Sequence, residues 1–405
     1  MTQRALLVGS SFSAAPIFFA LKARGFHVAV CGALAGDPCH RYADASHFID
    51  YSRREDLLAL VEAESFDWLV PTCNDFAYLS AAWVAERRGY PGFDPWPVAH
   101  LLHTKAAFRE AMAAHGLPSP RCLAQGAAGP AVTGDLPPPY LVKPVDSFSG
   151  RGVTRVADPA ALPAALAHAR AASRTGEAVL EEFVEGRLYS HSAFIRDQAV
   201  AADFFVDEYC TVYPYQVNCS HHPSSLPAAL RDGVRAAMTR LAQGLGLADG
   251  LLHTQFIADG ERFWIVECMR RCPGDLYGHL VELSAGAPYT DLFLRPFIGE
   301  TLPASLPVAE ARPVGRHTIS RAVPLVPYSF SCRLPEARDL RIVPLKDSGQ
   351  PLDPAPFDKL AIVFAEFADA AAMAAVTPHF AERVDIHPHA PWTPAAAPAR
   401  KGTPC

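Results

Sequence analysis

Residues 140–153 read Tyr140-Leu141-Val142-Lys143-Pro144-Val145-Asp146-Ser147-Phe148-Ser149-Gly150-Arg151-Gly152-Val153. An apolar, strand-like run delivers a lysine to a proline, and a polar, glycine-rich stretch follows. A charged residue at a strand end can be held firmly. Glycines let the following backbone fold closely around an anion. Such a loop offers several N–H groups to phosphate oxygens, with Lys143 as a point charge and Arg151 as a second one. The chain has only six lysines (Lys22, Lys105, Lys143, Lys346, Lys359 and Lys401) among 36 basic residues. A lysine inside an apolar strand therefore calls for an explanation. The competing reading is a surface hairpin with a flexible loop.

A chain of 405 residues exceeds the usual size of a single core, so two to four subdomains are expected. Half of its residues are apolar. A formal charge of -6 argues against broad nucleic-acid binding. The opening Arg4-Ala5-Leu6-Leu7-Val8-Gly9 reads as a buried strand and not as a secretory signal, and no apolar run is long enough to span a bilayer. The ten cysteines are scattered. Close pairs such as Cys268 and Cys272 have no partner pair at zinc-site spacing, so ordinary reduced thiols in the cytoplasm are expected.

Residues 1–100 alternate strands (Leu6–Val8, His27–Cys31, Phe66–Pro71) with apolar helices, a parallel αβ pattern. Gly9-Ser10-Ser11 after the first strand lacks the dinucleotide fingerprint. Asn74 and Asp75 fall at the C-terminal end of the third strand, where such sheets contact ligands; a plain turn role is the alternative. Residues 101–185 carry the glycine loop, a Gly/Pro-rich loop from Gly126 to Pro139, and a helix Ala160–Ala172 opened by the cap Asp158-Pro159. Residues 186–300 carry a helix Ala228–Leu245 and paired strands around Gln255 and Glu267. His221-His222 and Cys219 read as part of a flexible loop. Residues 301–390 hold short strands (Thr318–Val323, Arg341–Val343, Ala361–Glu366), and 391–405 read as a disordered Ala/Pro tail.

Two further segments complete the pattern. Glu181-Glu182-Phe183-Val184-Glu185-Gly186 ends an apolar strand, and Phe263-Trp264-Ile265-Val266-Glu267-Cys268-Met269-Arg270-Arg271 precedes Cys272-Pro273-Gly274-Asp275. This order of lysine with glycine loop, acidic strand end, and Glu-x-x-x-Arg before Pro-Gly-Asp resembles the ATP-grasp family, in particular ligases with a biotin-carboxylase-like core. Thr104-Lys105-Ala106-Ala107-Phe108 with Gly116-Leu117-Pro118-Ser119-Pro120 resembles the family's first nucleotide-contacting lysine and its turn. The resemblance runs from about residue 3 to 300. It implies an N-terminal parallel αβ domain, a nucleotide held between two α+β subdomains (101–185 and 186–300), and a β-rich C-terminal subdomain.

The resemblance also implies roles. Lys105 and Lys143 would neutralise ATP phosphates, with backbone around Ser149, Gly150, Arg151 and Gly152 closing over them; an exposed first-turn residue is the other reading of Lys105. The strand Val179–Val184 would hold adenine through backbone near Phe183 and Val184. Glu181 and Glu182 point to opposite strand faces, so one can reach the ligand. The family's ribose-binding Glu is absent at Arg187, Leu188 and Tyr189, and Glu185 is the substitute. Arg271 would hold the transferring phosphoryl group. Glu267 is the magnesium candidate, because a bare carboxylate in an apolar strand is costly unless paired or metal-bound; a salt bridge to a nearby Arg is the alternative. A three-residue turn at Asp259-Gly260-Glu261 would place Gln255 and His253 on the face of Glu267, and a two-residue turn would not. The family pattern has a carboxylate at Gln255 and Asn at Met269, whose thioether is a poor magnesium ligand.

The implied activity is an ATP-dependent ligase with magnesium (manganese in its place) that joins a small carboxylic acid to a small amine through an acyl phosphate. A homodimer is expected, with no nucleic acid and no membrane. The alternatives are a bicarbonate-using carboxylase of the same fold and a catalytically inactive ATP-binding protein.

Overall fold

The computed structural model describes residues 2–126, 137–147, 149–306, 310–322, 328–347 and 350–388. The expected tail 391–405, most of the Gly126–Pro139 loop and Phe148 lie outside them. Strands β1 (Arg4–Val8), β2 (His27–Cys31), β3 (Ala45–His47) and β4 (Trp68–Pro71) form a parallel sheet in the order β3-β2-β1-β4. Ala5 to Val8 are fully buried, as expected for a strand covered on both faces. The helix Asp75–Arg88 starts at Asn74, whose side chain accepts from the N–H groups of Phe76 and Ala77, and ends at Gly89 in the left-handed region. Asn74 is thus a helix cap.

The second sheet is antiparallel, in the order β5-β8-β6-β7, built from β5 (Cys122–Gly126), β6 (Tyr140–Pro144), β7 (Thr154–Val156) and β8 (Ala178–Glu182). One face packs Tyr140, Val142 and Leu180 against the helix Leu162–Ala171. Lys143 and Glu181 sit on the other face.

The largest sheet runs β13-β12-β9-β10-β11-β14-β17-β16. Its members are β9 (Arg187–Arg196), β10 (Ala199–Tyr209), β11 (Cys219–His222), β12 (Gly250–Ala258), β13 (Phe263–Met269) and β14 (Val314–Ile319). After β15 (Tyr328–Cys332), which pairs outside this sheet, β16 (Ala337–Pro344) and β17 (Ala361–Phe367) complete it; β18 (Val384–Pro388) is the partner of β15. Every pairing in the sheet is antiparallel. Tyr189, Phe205, Phe256 and Ile265 on one face pack on the helix Ala228–Leu245. Phe194, Phe204 and Leu251 on the other join the core shared with the helix Ala15–Ala23 and with Tyr277 and Tyr289.

Three expectations change. Cys219–His222 is the buried strand β11 and not a flexible loop, because its backbone fills the gap between β10 and β14. The strand expected at 318–323 is Val314–Ile319, set by its pairing with Ala361–Glu366. The long hairpin β9–β10 went unread in the sequence.

Candidate active site

Lys143 is 5% exposed at the end of β6. Its Nζ lies 2.6 Å from Oε2 of Glu181, and Arg109 grips the same carboxylate with Nε at 3.0 Å and Nη2 at 3.3 Å. All three side chains are buried. Burial lowers the Lys143 pKa, and the Glu181 charge opposes that fall. For Glu181 burial pulls upward, but Lys143 and Arg109 outweigh it and hold the carboxyl below its ordinary value. Two cations to one carboxylate leave a net positive centre, which suits an anion.

Lys105 starts the helix Lys105–Ala114 and donates from Nζ to the carbonyl of Ser147, 2.8 Å away. This links the helix to the glycine loop. Within that loop Ser149, Gly150 and Gly152 have φ of 58°, 71° and 75°. Successive left-handed residues turn backbone N–H groups towards one side. A Cβ on Gly150 would come within 2.5 Å of the Pro214 carbonyl oxygen, so glycine is also required by the packing. Arg151 stacks over Phe357, 5.9 Å from its ring centre.

The acidic strand end behaves differently from what alternation alone suggests. Glu181 and Glu182 do point to opposite faces, yet neither carboxylate is open. Glu181 is the counter-ion just described, and Glu182 accepts from Arg121 Nε at 2.9 Å and from its backbone N–H at 3.0 Å. Phe183 donates its N–H to the Pro139 carbonyl, and its ring stacks under Arg155. Val184 follows. Glu185 is exposed, 3.9 Å from Arg155. Arg187 turns to Asp207 and Tyr209.

The hairpin β12–β13 carries the metal candidates. Ala258 pairs with Phe263, so the loop Asp259-Gly260-Glu261-Arg262 has an even number of residues. By that count Gln255 would face Val266. A bulge between Gln255/Glu267 and Phe256/Ile265 inserts one residue and sets Gln255 directly opposite Glu267, and His253 opposite Met269. Neither the two- nor the three-residue turn forms, yet Gln255 still meets Glu267, because a bulge shifts the register just as an odd turn does. Glu267 is half-buried and makes no hydrogen bond or ion pair with a described residue. Arg271 nevertheless feels the Glu267 charge, at longer range than a direct salt bridge. Gln255 donates from Nε2 to Oε2 of Glu208 at 2.6 Å. Glu208 is 5% exposed, and burial together with the Asp275 charge pushes its pKa up to about 7.

These residues share one face of the large sheet. Direct cross-strand pairs run Glu267–Gln255–Ser190–Val206, and Glu208, two residues beyond Val206, pairs with Ser220, which pairs with Arg316. Arg316 is fully buried and bonds Ser220 and both the carbonyl and carboxylate of Asp275. One carboxylate oxygen of Asp275, Oδ1, has no hydrogen-bond partner. Lys359 lies beside this pair and 5.7 Å from the Phe12 ring, and has no ion pair with a described residue. Burial lowers its pKa against the opposing charge of Asp275.

Arg271 is clamped by Asp75, with Nε and Nη2 at 2.9 and 2.7 Å from its two oxygens, and Asp75 also meets His103 at 3.0 Å. Burial works against the Asp75 charge, but Arg271 and His103 hold its carboxyl well below the usual range. Arg270 diverges to Asp94 and to the carbonyls of Leu251 and Ala248. Among the described residues no three His, Cys, Asp or Glu side chains converge as a protein metal cage. Magnesium keeps several waters and asks for one or two carboxylates. The open Glu267 carboxylate with the Gln255 amide fits one such ion; Met269, buried with its soft sulfur, does not extend the set.

Sequence reasoning missed Arg109, Glu208, Arg316 and Lys359. Arg109 was legible, four residues after Lys105 on one helix face. Glu208 and Arg316 gave no local signal, since their meaning lies in strands far apart in the chain.

No protein-family profile matches the chain. The formate-dependent phosphoribosylglycinamide formyltransferase of Methylococcus capsulatus is 27% identical over 316 residues, covering 75% of this chain and 77% of that protein. Its counterpart from Rhodococcus jostii is 31% identical over 187 residues, 45% and 46% of the two chains. Among solved structures, the L-amino acid ligase from Bacillus licheniformis superposes with a TM-score of 0.79 at 17% identity, over 96% of this chain and 99% of that one. The biotin carboxylase domain of Hydrogenobacter thermophilus 2-oxoglutarate carboxylase, solved with MgADP and bicarbonate, gives 0.77 at 17%, over 96% and 91%. The chain has the ATP-grasp fold. Its arrangement of sheets and helices is similar to that of these two solved structures. Among the described residues no helix is long and apolar enough to cross a membrane.

Proposed function

We propose that the protein is an ATP- and magnesium-dependent ligase that activates a small carboxylic acid as an acyl phosphate and joins it to an amine, releasing ADP and phosphate. The observation that carries this reading is Arg109, which bonds Glu181 beside Lys143 and reaches the Ile265 carbonyl in β13 at 3.4 Å. One side chain thereby fixes the lysine–glycine-loop element against the hairpin of Glu267. The formyltransferases of the formate-dependent type, by their name, use an acid of this class.

In this reading Lys105, Lys143 and the N–H groups of 149–152 neutralise the phosphates, and backbone at Phe183–Val184 meets the adenine. Glu267 and Gln255 hold the magnesium ion, which supplies charge neutralisation at the transferring phosphate. Arg271, steadied by Asp75, faces the phosphoryl group as the acid's carboxylate attacks it. Lys359 takes an anionic group of the amine substrate, and Asp275 Oδ1 accepts from its amine N–H. The chain supplies positioning and charge and no nucleophile of its own. Pairing of two chains belongs to the same reading; a single sedimenting monomer at micromolar concentration contradicts it.

The test is ADP release over a panel of amino acids and small carboxylates, paired with amines and alone, with mass detection of products. An acid-and-amine-dependent release with an amide product supports the ligase. Release that needs bicarbonate shifts the assignment to a carboxylase. ATP binding without release under every pairing replaces it with a binding protein.

A further inference from the structure

We infer that Glu208 is a positioning residue that turns Gln255 into a metal ligand, an inference that rests on the magnesium-dependent reading above. Gln255 stands where a carboxylate would complete the pair with Glu267. A glutamine offers one ligating atom, Oε1, and only if the amide is turned the right way. Free in the cleft, the amide can present either its oxygen or its NH2 to a neighbour, and an NH2 facing a cation repels it.

The sheet removes that freedom. Gln255 lies between two carboxylates on one face: Glu267 directly opposite on β13, and Glu208 on β10, beyond β9. Glu208 Oε2 sits 2.6 Å from Gln255 Nε2. In this contact the Glu208 oxygen accepts and the NH2 end of the amide donates. The two ends of a planar amide diverge, which leaves Oε1 on the side away from Glu208, the side of Glu267. Glu208 has no ion pair with a described residue; besides Gln255 its carboxylate meets the Ser190 hydroxyl and feels the charge of Arg316 at longer range. Glu208 itself is 5% exposed, so its carboxylate has little water to bond in place of the NH2 group. Behind it, Ser190 bonds the Tyr277 hydroxyl at 3.1 Å, which fixes the β9 surface against which both side chains lie. The arrangement explains how a chain without the second carboxylate still presents two oxygen donors to one ion.

The experiment measures Mn2+ binding by the full chain in the presence of ADP, from loss of the free-aqua electron paramagnetic resonance signal. Metal-free ADP binding, read by a fluorescent ADP analogue in chelator, is the control. Glu208→Leu should weaken Mn2+ binding about tenfold, the low end for a group that orients a metal ligand, and leave metal-free ADP binding unchanged. Glu208→Gln retains one acceptor oxygen and should keep most of the affinity. In a Gln255→Glu background no amide needs orienting, so adding Glu208→Leu should then cost less than twofold. Equal losses in both backgrounds mean that Glu208 does not act through Gln255 and overturn the inference. So does wild-type Mn2+ affinity in Glu208→Leu, or a Glu208→Gln variant as weak as Glu208→Leu. Should Glu208→Leu fail to fold, Glu208→Met, which is closer in length and has no oxygen acceptor, carries the same comparison in the two backgrounds. A wild-type protein that binds no Mn2+ with ADP overturns the ligase reading itself, an outcome distinct from binding that is indifferent to residue 208.

Discussion

The cluster around Lys143 and the hairpin around Glu267 solve the problem of buried charge in opposite ways. Around Lys143 each charge has a partner: Glu181 is shared by Lys143 and Arg109, and Lys105 is tied to the Ser147 carbonyl. Around Glu267 the pairing is incomplete: Arg271 is held by Asp75 and Asp275 by Arg316, but Glu267 and Lys359 have no ion pair with a described residue and Asp275 keeps an orphan oxygen. A buried charge left alone costs several kcal/mol, and a paired one much less. The first region is therefore a finished framework whose net charge is positive. The second stays unsatisfied until ligands arrive, so its stabilisation is deferred to binding.

The comparison is most exposed to Glu181→Leu. Removing the carboxylate leaves two buried cations facing each other, and loss of one partner of a buried pair costs about 3–5 kcal/mol. Thermal or denaturant unfolding reads this directly, and a stability change below about 1 kcal/mol would show that the cluster is effectively solvated. The acid limb should change with it. Because Glu181 is held below its ordinary value in the folded chain, its stabilisation is present above the unfolded carboxylate pKa. It is lost as pH falls through the folded one. The variant should lack that part of the acid transition.

Next in size is Lys143→Ala, which removes the charge aimed at the phosphates. By analogy with the loss of one oxyanion donor, turnover should fall by about 10²–10³-fold. Glu181 keeps Arg109, so the fold should survive. Near-normal ADP release in this variant removes Lys143 from the phosphate grip.

Glu267→Gln sharpens the other half. With no partner to lose in the folded chain, its stability should stay within about 0.5 kcal/mol of the parent, while magnesium-dependent ADP release collapses. Full activity at unchanged magnesium demand excludes Glu267 as ligand. The smallest effect is expected of Gln255→Glu, which adds a carboxylate beside Glu267 and should lower the magnesium concentration needed for half-maximal rate by less than about tenfold. A raised requirement would place Gln255 on the substrate and off the metal.

The local signals in the chain covered the first region well. A lysine closing an apolar strand before Gly150 and Gly152, and a second lysine opening a helix, are read from residue type and neighbours alone. Even Arg109 lay within one helical turn of Lys105. The metal side was half legible. Glu267 stood out as a carboxylate in an apolar strand, whereas its relation to Gln255 depended on register. The turn length alone could not settle the face, since a bulge near Val266 and not the loop length supplies the odd residue.

By itself, the sequence determined the alternating αβ start, the apolar strands, the glycine loop and the identity of the chemical groups, because these follow from propensity and periodicity within a few residues. Only the tertiary structure decided which charges are spent and which are free. Glu181 and Glu182 are adjacent and look alike, yet one neutralises a buried lysine and the other an outer arginine. Glu208, Arg316 and Lys359 come from strands and loops far apart in the chain, and which charges lie near them is set by the fold, including the strand order β12-β9-β10-β11-β14. Coulomb energy and hydrogen bonding act over a few ångströms in space, whatever the separation along the chain. A sequence therefore names the groups at a site and leaves their partners to the fold.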